Sequence, residues 1–181
     1  MKFVEPIRDA DVFHAIQAYL KNTNDRNYML VIVGTYTGLR ISDILALKVK
    51  DVKDKKYINT IEKKTKKQNI IELNPLLRTE IKRYCLDKDG EEYLIKSQEK
   101  INKPITRVRA WQIMKEVGNN FNIENLGTHT LRKTFGFHYY KQTGDIATLM
   151  NMFNHAKESI TLKYIGITQD TLNKARRDFK I

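Results

Sequence analysis

Three short stretches of this 181-residue chain carry side chains that could act together on a phosphate. In "GTHTLRKTFGFHYY", His129 and Arg132 stand three residues apart, so on a helix both point to one spot. In "NHAKESITLKY", His155 is followed by Tyr164 nine residues later. In "TGLRISDILAL", Arg40 comes just after a Gly turn and Asp43 stands three residues beyond it. Arg40 is poorly placed for helix stability, because the first turn of a helix disfavours cations. It is either a surface Arg tolerated there, or a group that faces an anion together with the helix start. Asp43 either orients the guanidinium or simply pairs with it. A pair of Arg forks grips non-bridging oxygens, an imidazole moves a proton, and a phenol supplies a nucleophile.

Other chemistries find no support. Four scattered His and no Asp/Glu cluster at ligand spacing argue against zinc or a two-metal nuclease, so no metal is expected. There is no Gly-rich phosphate loop of the Walker type and no Ser in a nucleophile elbow. The single Cys85, in "EIKRYCL", reads as a packing residue and fits a reducing cytoplasm. His14 lies on the polar side of its helix and His138 lacks a basic or nucleophilic neighbour, so both read as ordinary hydrogen-bonding residues.

The elements that must position these groups follow from periodicity. A first helix is expected from Asp9 or Asp11 to Lys21, with Val12, Phe13, Ile16 and Leu20 on its apolar face. A second, strongly buried helix starts near Asp25 and stops at Gly38. "RISDILALKV" reads as a third, short helix with Ile41, Ile44, Leu45 and Leu47 inward. Two β-branched runs, Tyr57–Ile61 and Ile70–Leu73, flank a Lys-rich centre and predict a β-hairpin. Pro75 opens a helix reaching Leu86, "GEEYLI" is extended, and Pro104 precedes a helix with Trp111, Ile113 and Met114. Thr128 or Thr130 caps a helix from His129 to Lys141 that Gly144 ends. "DIATLMNMF" is a helix starting at Asp145. "SITLKYI" and "TQDTLNKARRDF" follow, as helices or as a helix and an extended link. The fold class is mainly α with one small antiparallel sheet (α+β), in one domain over 1–181.

Charge narrows the partners. Lys and Arg number 33 against 21 Asp and Glu, a net +12 that favours a polyanion through counterion release. Residues 48–67 hold nine Lys and three acidic residues, half of that surplus. Most of these Lys are solvated or touch phosphates, and one near the hairpin tip could reach a cleaved phosphodiester. No apolar run approaches the ~18 residues needed to cross a bilayer. The N-terminus lacks a signal-peptide pattern, and the chain reads as soluble and intracellular.

"TGLRISDILAL", "KKTKKQNIIEL", "HTLRKTF" and "FNHAKESITLKYI", in this order from about residue 5 to 170, resemble the motifs of the tyrosine recombinase (phage integrase) catalytic domain. The resemblance implies double-stranded DNA as partner, and strand cleavage and rejoining through a 3′-phosphotyrosyl intermediate without metal or ATP. It makes Arg40, Lys64, His129, Arg132, His155 and Tyr164 the catalytic set, with Asp43 in support. Lys63, Lys66 and Lys67 compete with Lys64 for the hairpin position and, with Lys133, are otherwise DNA contacts. Phe153 and Asn154 stand before His155 where the family commonly has Leu-Gly. The separate N-terminal DNA-clasping domain common in the family has no room here. Residues 168–181, with Leu172, Ala175 and Phe179 at helical spacing, pack on their own domain, dock on a neighbouring subunit, or touch phosphates through Lys174, Arg176 and Arg177. The rival expectations are a DNA-binding or regulatory protein that keeps the fold without strand exchange, and a basic structural protein.

Overall fold

The computed structural model describes residues 4–61, 68–99 and 101–179. Asp9 caps the first helix, α1 (Ala10–Thr23), by accepting from the backbone N–H groups of Asp11 and Val12. Phe13, Ile16 and Leu20 recur at helical spacing and bury one face of α1. α2 (Asp25–Thr37) is apolar nearly all round and buries ten of its residues, so it forms the central helix of the core. Gly38 ends it at φ 64°, a left-handed position that Cβ-bearing residues occupy at a cost. The C-terminal half of α2 packs on α7, and the Gly38 turn delivers Arg40 to that junction.

The expected third helix is two short ones, α3 (Ile41–Ile44) and α4 (Val49–Val52). Ile44, Leu45 and Leu47 face the core as expected, but a turn at Leu45 and Ala46 separates the run into single helical turns. The hairpin forms as β1 (Tyr57–Ile61) and β2 (Gln68–Glu72), antiparallel with Tyr57 opposite Glu72 and Ile61 opposite Gln68. Asn74 caps α5 (Pro75–Tyr84), with Pro75 at its first position. "GEEYLI" bridges Lys48 through Tyr93, the next residue, Lys96, bridges Pro104, and Leu94 and Ile95 between them are buried. Thr106 caps α6 (Arg107–Asn120). Cys85 is fully buried, and desolvation raises its thiol to about 11, in keeping with a packing role.

The helix α7 (Thr128–Thr143) begins one residue earlier than expected, with Gly127 at its N-cap. Thr130 faces back from the first turn, its Oγ1 accepting from the Gly127 N–H at 3.0 Å. Gly144 ends α7 at φ 68°, and Asp145 caps α8 (Ile146–Phe153). α9 (Glu158–Tyr164) and α10 (Ile167–Asp178) complete the chain, so both C-terminal segments are helical. A second apolar cluster, Phe137, Leu149, Phe153 and Ile165, fastens α8 and α9 to α7. No described helix is long and apolar enough to cross a membrane.

Candidate active site

The site lies where the two apolar clusters meet along α7, and it is organised around Phe153. Its carbonyl, at the end of α8, accepts from Arg132 Nη2 at 3.0 Å and from Arg40 Nη2 at 3.4 Å. The Gly38 carbonyl takes Arg132 Nη1 at 2.5 Å. Two guanidiniums separated by 92 positions in the chain thus converge on one oxygen, with the Arg132 fork held at both ends. Arg132 is only 4% exposed, and its guanidinium carbon lies 4.2 Å from the Phe153 ring centroid. That stacking offsets part of the cost of holding a charge inside the fold.

Phe153 also seats the candidate proton-transfer and nucleophilic groups. The His155 and Tyr164 rings make T-shaped contacts with it at 5.5 and 5.6 Å between centroids, and with each other at 5.3 Å. His129 Nδ1 lies 3.2 Å from the Tyr164 hydroxyl oxygen. His155 Nδ1 lies 3.0 Å from the Oγ1 of Thr161, which is fully buried. This contact fixes the imidazole plane from within the helix that carries Tyr164.

Charge and burial set the proton equilibria. Tyr164 is raised above its usual 10, first by desolvation, with Arg132 and Arg40 pulling the other way. His129 is lowered below 6.5 by desolvation and then by the cations Lys133, Arg132, Arg40 and Arg107. At neutral pH the pair is therefore a protonated phenol beside a neutral imidazole.

Five of the six residues expected to be catalytic, Arg40, His129, Arg132, His155 and Tyr164, come together here. The sixth, Lys64, lies outside the described residues, as do Lys63, Lys66 and Lys67. Gln68 and Asn69, where β2 begins, line a shallow cavity with Met150, Asn154 and His155, so the loop end of the described strands opens beside the site. Asp43 is buried behind Arg40, where its backbone N–H donates to the Arg40 carbonyl at 2.8 Å and its carboxylate lies 3.4 Å from Ser42 Oγ. The helix start contributes less than expected, because α3 is four residues long and a single turn sums little dipole.

Lys133 is a correction. It does not stand on the surface as a phosphate contact. It is 4% exposed, its Nζ donates to the Val4 carbonyl at 2.7 Å, and it lies over the Tyr164 ring. It follows Arg132 on α7 but projects one turn beyond His129, toward Tyr164 rather than solvent. Phe153 and Thr161 are the site residues that sequence reading missed. The role of Phe153 runs largely through its backbone carbonyl, which leaves no mark in residue type. His14 is exposed and His138 Nε2 bonds the Ile7 carbonyl at 2.9 Å, so neither enters the site.

The arrangement is a pair of guanidiniums gathered on one backbone carbonyl, with a phenol and an imidazole in contact beside them. The profile of the phage integrase family matches residues 8–170, and the chain belongs to that family. Its fold is that of the tyrosine recombinase catalytic domain. The chain is 45% identical to the probable integrase/recombinase YoeC of Bacillus subtilis (strain 168), over 99% of this chain and 98% of that protein. It is 32% identical to the tyrosine recombinase XerA of Pyrococcus furiosus, over 83% of this chain. There it spans about half of the relative's length, 53%. Among solved structures, the XerH site-specific recombinase bound to palindromic difH substrate in a post-cleavage complex superposes with a TM-score of 0.74 at 18% identity. That match covers 98% of this chain and 54% of the other, and it bears on the fold alone.

Proposed function

We propose that this protein cleaves and rejoins double-stranded DNA at specific sites, with Tyr164 as the nucleophile. The observation that carries the reading is the Tyr164 hydroxyl 3.2 Å from a neutral His129, beside two Arg forks that share the Phe153 carbonyl. Tyr164 Oη attacks the scissile phosphorus as its proton passes to His129 Nδ1. The P–O5′ bond breaks, leaving a 3′-phosphotyrosyl link and a free 5′-hydroxyl. Arg40 and Arg132 hold the non-bridging oxygens, whose charge grows in the transition state. His155, its plane fixed by Thr161, donates to the same phosphate. The departing 5′-oxygen takes a proton from the hairpin lysine, for which Lys64 is the candidate and Lys63, Lys66 and Lys67 the competitors. Attack by a second 5′-hydroxyl reverses each transfer, and the energy of the phosphodiester is kept in the covalent link.

The DNA partner is supported by the net +12 charge and by the DNA complex of XerH. Self-association through α10 belongs to the same reading. It is supported by Leu172 and Phe179, which are 47% and 72% exposed near the chain's C-terminal end.

A nicked duplex, in which the freed 5′ fragment diffuses away, traps the intermediate. The wild-type protein is expected to form a covalent DNA adduct in the presence of a metal chelator and without ATP. Binding of the duplex with no adduct under any condition would instead identify a DNA-binding protein that keeps the fold without the chemistry.

A further inference from the structure

Residues 4–8 run along α7, from Lys133 at one end to α10 at the other. The Ile7 N–H donates to Thr134 Oγ1 at 2.9 Å, and Arg8 pairs with Asp170 of α10. At the other end the Val4 carbonyl accepts from Lys133. A buried cation is a costly way to hold a backbone segment, since an apolar side chain of similar length would fill the same space without desolvating a charge. Its location suggests what it does. The ammonium lies 5.1 Å from the Tyr164 ring centroid, and its residue is one helical turn after His129.

We propose that Lys133 is a positioning residue for the nucleophile: its ammonium, fixed by the Val4 carbonyl, holds the Tyr164 ring against α7 with the hydroxyl at His129, and opposes a second positive charge on that imidazole. The inference rests on the strand-transfer reading and adds to it a device that keeps the proton acceptor neutral. The charged and titratable groups facing His129 are Tyr164 from α9, Lys133 and Arg132 from its own helix, Arg40 ahead of α3 and Arg107 from α6. Among the described residues, Glu5 is an acidic group that faces Lys133. Burial pushes the Lys133 ammonium down to about 8, so the charge is present at neutral pH and is given up in mild alkali.

The test compares the wild type with Lys133→Met, Lys133→Gln and Lys133→Arg, each checked for native circular dichroism. The His129 imidazole is titrated by NMR in the protein alone, and adduct formation on nicked DNA is followed against pH. In the two neutral variants the His129 titration is expected to move up toward 6.5, and the acid limb of the adduct rate to move with it. At pH 6 the rate should drop by roughly threefold or more, while Lys133→Arg keeps both curves near those of the wild type. A folded Lys133→Met or Lys133→Gln that titrates His129 as the wild type does would reduce Lys133 to packing and overturn the inference. Lys133→Arg behaving like the neutral variants would overturn it as well. If the wild type itself forms no adduct, the strand-transfer reading fails, and the imidazole titration still decides the role of Lys133.

Discussion

The two guanidiniums do different amounts of structural work, and their substitutions should separate on that basis. Arg40 donates to the Phe153 carbonyl at 3.4 Å, whereas Arg132 bridges two carbonyls and stacks on a ring inside the fold. Arg40→Ala is expected to slow adduct formation by about 10²–10³-fold, as when one oxyanion donor is lost, with DNA binding in a gel shift nearly unchanged. Arg132→Ala should lose as much rate and also about 1–3 kcal/mol of stability, because the buried Gly38 carbonyl loses its Arg132 donor and the Phe153 carbonyl is left to Arg40. Arg132→Lys keeps the charge but not the fork, and should recover stability more than rate. The acid side of the rate profile is set by His129. Its lowered value places the acid midpoint of the rate below pH 6.5. The phenol is raised above 10, so it stays protonated across the neutral range and the rate there depends on the acceptor rather than on preformed phenolate. A pH profile with its acid midpoint above 6.5 would contradict the His129 assignment.

At the scale of elements, the nucleophile is only as well placed as the packing of α9 on α7. Gly136 makes that packing possible: a Cβ there would sit 2.8 Å from carbons of both Phe153 and Ile165. Ile165 is the residue after Tyr164, and Phe153 seats the arginines. Gly136→Ala should therefore cost about 1–3 kcal/mol in thermal or urea unfolding, and should reduce adduct formation more than DNA binding. Equal loss of both would mean general unfolding rather than displacement of Tyr164. Much of this layer was legible in the sequence. The acidic starts at Asp9 and Asp145, Pro75 at a first helical position and the glycine stops at Gly38 and Gly144 are local chemistry, so α1, α2, α5 and α8 start or end close to where the sequence puts them. The β-branched alternation gave the hairpin. The i, i+3 pair His129 and Arg132 was readable because a helix brings them together whatever surrounds it. The split between α3 and α4 was not, since tertiary contacts of Leu45 and Leu47 override a continuous helical pattern. Lys133 was misread for a similar reason. Its partner is a backbone carbonyl 129 positions away, and no local rule distinguishes a buried Lys on a helix from a solvated one.

For the whole molecule, the net +12 charge sets how DNA is held. Neutralising several phosphates makes affinity fall steeply with salt, so the logarithm of the binding constant should decline linearly with that of salt, with a slope of about −0.9 per phosphate contacted. Charge alone accounts for holding DNA and does not distinguish a recombinase from other basic proteins. The distinction lies in the convergence of Arg40, His129, Arg132, His155 and Tyr164 from the Gly38 turn, α7, the end of α8 and α9. α10 follows Tyr164 after a Gly166 turn, so a neighbour that engaged Leu172 or Phe179 would pull on the nucleophile's own segment. Leu172→Glu should thus weaken cooperative occupancy of paired sites, measured by native gel, while adduct formation on a single site is kept.

The central claim is that one phenol becomes bonded to DNA, and the most direct measurement is identification of that bond. Wild-type adduct on nicked duplex would be digested with trypsin and nuclease and read by tandem mass spectrometry. The account predicts a nucleotide carried on the peptide containing Tyr164, and no adduct from Tyr164→Phe. A nucleotide on a different residue, or an adduct that forms at the wild-type rate in Tyr164→Phe, would contradict it.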